Sequence, residues 1–139
     1  MTHVKTFTAA ALLLATGSAA AIDTSDPFLC AVTQVHECLD GFGCEAVLPE
    51  MVNAPTFIWV DLKKKRIRTS LNNEGSRISN QAVVDGRHIL QGAEEGNPNQ
   101  PDGVAWSLSI ENDTGRFVGA VALQQASITL FGACTEVDW

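Results

Sequence analysis

Val104-Ala-Trp-Ser-Leu-Ser-Ile-Glu-Asn-Asp-Thr-Gly-Arg-Phe-Val-Gly-Ala-Val-Ala-Leu-Gln-Gln-Ala-Ser-Ile-Thr-Leu-Phe-Gly-Ala-Cys134 decides the fold. Val104, Trp106, Leu108 and Ile110 alternate with Ala105, Ser107, Ser109 and Glu111, the two-residue period of a strand with one buried face. Asn112-Asp-Thr-Gly115 makes a turn, with Gly115 suited to a left-handed backbone. Phe117, Gly119, Val121 and Leu123 then share one face, and Ile128, Leu130 and Gly132 continue the pattern. The stretch reads as an antiparallel three-strand meander that delivers Cys134 to an earlier cysteine. Its large residues mark a core face. The small ones, Ala105, Ser107, Ser109, Ala120 and Ala122, face water in this reading, or else leave room for a ligand inside a barrel.

Upstream, strand signals recur at short intervals. Phe28–Leu39 is the first strand, and Cys30 and Cys38 share its parity, so a regular strand would aim both at one face. Asp40-Gly-Phe-Gly43 is a turn, and a short strand from Cys44 ends at Pro49. Thr56–Leu62 is rich in β-formers and reads as a buried strand; Arg66–Leu71 returns after Lys63-Lys-Lys65. Arg77–Val84 and Arg87–Gly92 flank Asp85-Gly86, the dipeptide favoured in two-residue hairpins. Ala93–Gly103, with its prolines and glycines, is the longest loop. No capped run of 3.6-residue period predicts a helix. The expected architecture is therefore all-β, an antiparallel meander of about eight strands forming a small up-and-down barrel, with a β-sandwich as the alternative.

The N-terminus carries the marks of a signal peptide over residues 1–21. Lys5 supplies the basic region, Ala9-Ala-Ala-Leu-Leu-Leu-Ala15 the apolar centre, and Ser18-Ala-Ala-Ala21 the small residues of a cleavage site. The run is too short to span a bilayer. Residues 22–139 then form a single all-β domain, periplasmic or secreted. The chain has 9 Lys+Arg and 16 Asp+Glu, a formal charge of −7. Losing Lys5 takes the mature domain to −8, a balance that disfavours nucleic acid and anionic lipid as partners.

All 4 cysteines lie in the mature domain, and an even count in an exported chain reads as a disulfide framework. Of the three possible pairings, the favoured one clips Cys38 to Cys44 and ties Cys30 to Cys134. Zinc is disfavoured because the spacing is not Cys-x-x-Cys.

The run from Cys30 through Glu37-Cys38 to Cys44, the strand Ile58-Trp-Val-Asp-Leu62, the hairpin from Trp106 through Gly115-Arg-Phe-Val-Gly119 and the closing Phe131-Gly-Ala-Cys134 resemble small exported proteobacterial β-domain proteins whose function is uncharacterised. The resemblance covers most of the mature chain. It implies an exported β-domain with paired cysteines and brings no activity with it.

Chemistry-bearing constellations are few. His36 and His88 lie on separate expected strands; with Glu37, Asp61 or Asp85 they sketch a metal site that no ligand spacing supports. No nucleophile elbow, His-Glu-x-x-His or Ser-x-x-Lys is present. Lys63, Lys64, Lys65, Arg66 and Arg68 form the basic cluster, a candidate contact for an anion or a protein partner, or a charged hairpin that keeps a sheet end soluble. Glu111 and Arg116 face each other across a hairpin as an expected ion pair. The function expected is a monomeric binding module for an unknown small ligand or protein partner, with no cofactor and no metal. The alternatives are an inhibitor or assembly partner of a secreted or envelope protein, and a hydrolase with a non-local site near His36 or His88.

Overall fold

The computed structural model describes residues 21–70, 74–96, 99 and 103–137. The expected leader, apart from Ala21, and the centre of the expected 93–103 loop lie outside them. The described residues form one antiparallel sheet of ten strands and a single 3-10 turn, Pro49–Val52. The strands are β1 (Phe28–Leu39), β2 (Gly43–Val47), β3 (Phe57–Asp61), β4 (Arg66–Arg68), β5 (Ser76–Arg77), β6 (Asn80–Val84), β7 (Arg87–Glu94), β8 (Val104–Glu111), β9 (Arg116–Ala122) and β10 (Ala126–Glu136). The sheet curls into a half-barrel in the order β5-β4-β3-β1-β10-β9-β8-β7-β6. Most neighbours are joined by hairpins, as an up-and-down meander requires. No helix among the described residues is long and apolar enough to cross a membrane.

β1 is the spine. One edge pairs with β10 from Phe28↔Glu136 to Leu39↔Ala126; the other is shared by β3, along Phe28–Ala31, and β2, along Val35–Leu39. Cys30 lies directly opposite Cys134, and the two are bonded; Cys38 lies opposite Cys44 across the β1–β2 hairpin, also bonded. The favoured pairing is the one found.

Cys30 and Cys38 do not share a face, contrary to the parity of a regular strand. A β-bulge opposite Gly132 and Phe131 adds one residue to β1 between Val32 and Gln34. An added residue exchanges the two faces of a strand. Phe28 and Cys30 point inward before it, and Val35 points inward after it, so Cys30 is fully buried while Cys38 is not.

β3 is not buried throughout: Ile58 and Val60 are buried, whereas Phe57 and Trp59 lie on the outer face. The expected strand 77–84 is two strands. Ser76–Arg77 pairs with β4, the Ile78 N–H then donates to the Lys65 carbonyl, and the Ser79 N–H to the Gln91 carbonyl (2.9 and 2.8 Å). One extended segment thereby bridges the two ends of the curled sheet. Glu111 pairs with Arg87 of β7 at 3.0 Å rather than with Arg116, because Arg87 stands directly opposite it in the β7–β8 register. The Asp85-Gly86 hairpin is as expected, both residues taking positive φ (48° and 73°).

Phe28, Val60, Ile110, Phe117 and Leu130 pack in the interior. Ile22 is buried with them; its N–H donates to the Asn112 carbonyl (3.0 Å), and its side chain lies against the Gly115 turn. The N-terminal segment thus plugs the end that carries the β3–β4, β6–β7 and β8–β9 turns. Beside it, the Asp23 carboxylate accepts the Ser25 backbone N–H (2.8 Å) and interacts with the Ser25 hydroxyl, which lowers its pKa.

Cys30–Cys134 closes a loop of 104 residues and Cys38–Cys44 one of 6. In the chain-entropy account the first stabilises by about 4–5 kcal/mol and the second by about 2 kcal/mol. Cys30→Ser should therefore lower the urea midpoint clearly more than Cys44→Ser; equal losses would contradict the closure of the fold by the long bridge.

Candidate functional site

The inner face of the half-barrel is filled at the plugged end and hollow at the other. A cavity of ≈ 350 Å³ is walled by Ile58, Ile67, Trp106, Leu108, Val121 and Leu130, with Asn53, Thr69, Glu94 and Val104 toward the opening. The walls are mostly apolar because β8, β9 and β10 turn Trp106, Leu108, Val121 and Leu130 inward, as their alternation predicts. The small residues take the outer face: Ala105, Ala120 and Ala122 are exposed. Ser107, Gly119 and Ala120 still border the cavity, between the larger residues that wall it.

Trp106 fixes one wall. Its ring lies over Gly92, directly opposite in the β7–β8 register, where an added Cβ would stand 2.3 Å from the ring. The indole N–H donates to the Ser76 hydroxyl at 2.8 Å in a buried bond, which satisfies the one polar group the ring brings inside. Ser76 belongs to the segment that bridges the sheet ends, so the same bond ties wall to bridge.

Three carboxylates, Glu37, Glu45 and Glu94, occupy inner-face positions at the open end. Glu94 is register partner to Val104, and Glu37 to Ile128 on one side and Glu45 on the other. Among the described residues Glu94 has no salt-bridge partner, and it is exposed at the rim. An ionised, unpaired carboxylate is costly to bury, which keeps this end in water. A second cleft of ≈ 330 Å³ adjoins the cavity through Ile67, Thr69 and Glu94 and reaches Glu74 and Ser76. A larger recess of ≈ 530 Å³ lies on the outer face around Thr33, Arg116 and Phe131, with mostly polar walls. The inner cavity is the better candidate because it combines apolar walls with a polar rim.

The other candidate residues do not converge. His36 is on the outer face of β1, within hydrogen-bond distance of the Gln34 amide (2.9 Å) and edge-on to Phe131. His88 is half-buried on β7 opposite Ile110 and Val83. Among the described residues no group of three His, Cys, Asp or Glu is arranged to hold a metal. In the basic cluster, Lys63 faces Asp26 at 3.8 Å and Lys64 faces Asp61 at 3.6 Å. Arg66 donates to the carbonyls of Glu74 and Gly75 (2.9 and 3.4 Å), holding a turn. Lys65 adopts a positive φ of 51° in the β3–β4 turn, and Arg68 is register partner to Trp59.

Comparison with protein-family models, with curated proteins and with solved structures finds no match to the chain.

Ser76→Ala would leave the indole N–H of Trp106 buried without an acceptor, at a cost of about 1–3 kcal/mol. Urea unfolding followed by tryptophan fluorescence should show that loss, and an unchanged midpoint would show that the bond does not hold the wall.

Proposed function

We propose that this chain is a small exported, disulfide-stabilised binding module whose inner cavity takes a small apolar or amphipathic ligand. The observation that carries the reading is the ≈ 350 Å³ cavity with apolar walls and a polar, open rim. Its volume lies at the lower end of the range of small-molecule sites, about 300–1,000 Å³. Rigid walls favour such a role: Trp106 is held by Ser76, and β1 and β10 are covalently joined. A preformed site loses less conformational freedom on binding.

Export is part of the proposal. Two disulfides need an oxidising compartment, the first residues read as a cleavable leader, and the chain resembles small exported proteobacterial β-domain proteins. Catalysis has weaker support: neither histidine is brought beside a serine and a carboxylate by any described contact.

Native electrospray of protein purified gently from the exporting compartment should show an adduct that is absent from the denatured spectrum. Val121→Trp, which fills the cavity from one wall, should lose that adduct while keeping both disulfides and a cooperative unfolding transition. A clean native mass for the wild type, or an adduct that survives in the filled variant, would sink the cavity reading.

A further inference from the structure

The β1–β2 hairpin ends in Asp40-Gly-Phe-Gly43, and Phe42 at its tip is 89% exposed, the most exposed of the large apolar side chains described. The turn itself needs no aromatic there. Gly41 and Gly43 supply its left-handed conformations, with φ of 76° and 87°. Immediately below the tip, Cys38–Cys44 clamps the two strands, and the Asp40 N–H is held by the Gln125 carbonyl at 3.1 Å. A large aromatic is thus displayed in water on a rigid, covalently closed support. Leu39 and Leu123, 42% and 38% exposed, flank it on the same end of the sheet.

The charge around this tip has one sign. From Ala21 to Leu62 the chain carries 7 carboxylates and no Lys or Arg, and no cation follows Arg116. The cations of the mature domain instead sit in or beside the turns at the plugged end (Lys63, Lys64, Lys65, Arg66, Arg87, Arg116) or on β4 and β5 (Arg68, Arg77). Asp40 and Glu45 are exposed next to Phe42, and Glu37 stands opposite Glu45. The molecule is polarised along β1, with an apolar point set in an anionic end.

The geometry points to the Phe42 hairpin as a docking finger for a protein partner that presents an apolar pocket ringed by basic side chains. An exposed aromatic on a pre-ordered support has the character of an interface anchor, because little freedom is lost when it is buried. The surrounding carboxylates select a cationic rim and speed encounter with it. They also disfavour an anionic lipid surface. A second copy of this chain would bring its own anionic end into repulsion if it met finger to finger. The finger stands on the outer edge of the sheet, so docking there is independent of whether the cavity holds a ligand.

The test places a photoreactive benzoylphenylalanine at position 42 of the full-length precursor, made and exported in its own cells, with position 83 as control. Val83 is 66% exposed on β6, away from the finger. Illumination should give one defined protein adduct from position 42 and none from position 83. That adduct should fall about tenfold when Asp40→Lys and Glu45→Lys are introduced, and with Asp40 and Glu45 intact it should fall at high salt, as steering by charge requires. The melting temperature should not fall on Phe42→Ser, since that side chain is 89% exposed, nor on the charge reversals, since Glu45→Lys sets a cation opposite Glu37. The proposal is overturned by no adduct, by equal yields at positions 42 and 83, or by an adduct indifferent to the charge reversals. Adducts that mass spectrometry identifies as phospholipid or as a second copy of the chain would also overturn it.

Discussion

The pairing of β1 with β10 is the constraint on which the rest of this structure depends. It joins the first strand to the last, and Cys30–Cys134 makes it covalent across 104 residues. Most other pairings are hairpins, which close short loops at little entropic cost; this one brings together distant parts of the chain. Once it is made, β1 has one edge covered over its whole length, and β2 and β3 can divide the other. The bulge in β1 suits that division, since it bends the strand where one partner ends and the next begins, and it moves the buried positions from Cys30 to Val35.

A sheet curled on this spine has two unlike ends. At one, Ile22 enters the core and the N-terminal segment is tied to the β8–β9 turn. At the other, the inner-face positions fall to Glu37, Glu45 and Glu94, which cannot be buried unpaired, so the interior stays open there. The cavity between is kept in shape by Trp106, whose ring needs Gly92 opposite it and whose N–H needs Ser76. Wall, bridge and sheet closure are therefore one mechanical unit.

Charge follows the same axis. The cations collect near the plugged end, several of them engaged with Asp26, Asp61, Glu111 or backbone carbonyls, while the open end has carboxylates alone. The cavity mouth and the Phe42 hairpin share this anionic end. The basic hairpin that stands out in the sequence is largely engaged in local structure, and the less conspicuous Asp40-Gly-Phe-Gly43 turn carries the most exposed large apolar side chain described.

By itself the sequence determined what depends on neighbours a few residues away. Alternation in Val104–Ile110 set which side of β8 faces inward, Asp85-Gly86 set a hairpin, and the bounds of Phe28–Leu39 were readable from its β-formers and the glycines after it. The disulfide pairing found was the favoured one of three that the sequence allowed, and the register of β1 against β10 and β2 decided it. Only the tertiary structure decided the bulge in β1, because an extra residue is visible only against the register of its partner. Only it decided that Ser76–Asn80 crosses from β4 to β7, that Glu111 meets Arg87 rather than Arg116, and that Trp106 reaches Ser76 30 residues away. The cavity belongs to the same class. It is a volume left between side chains of many strands, and no local period in the chain encodes a space that arises only when distant strands are brought together.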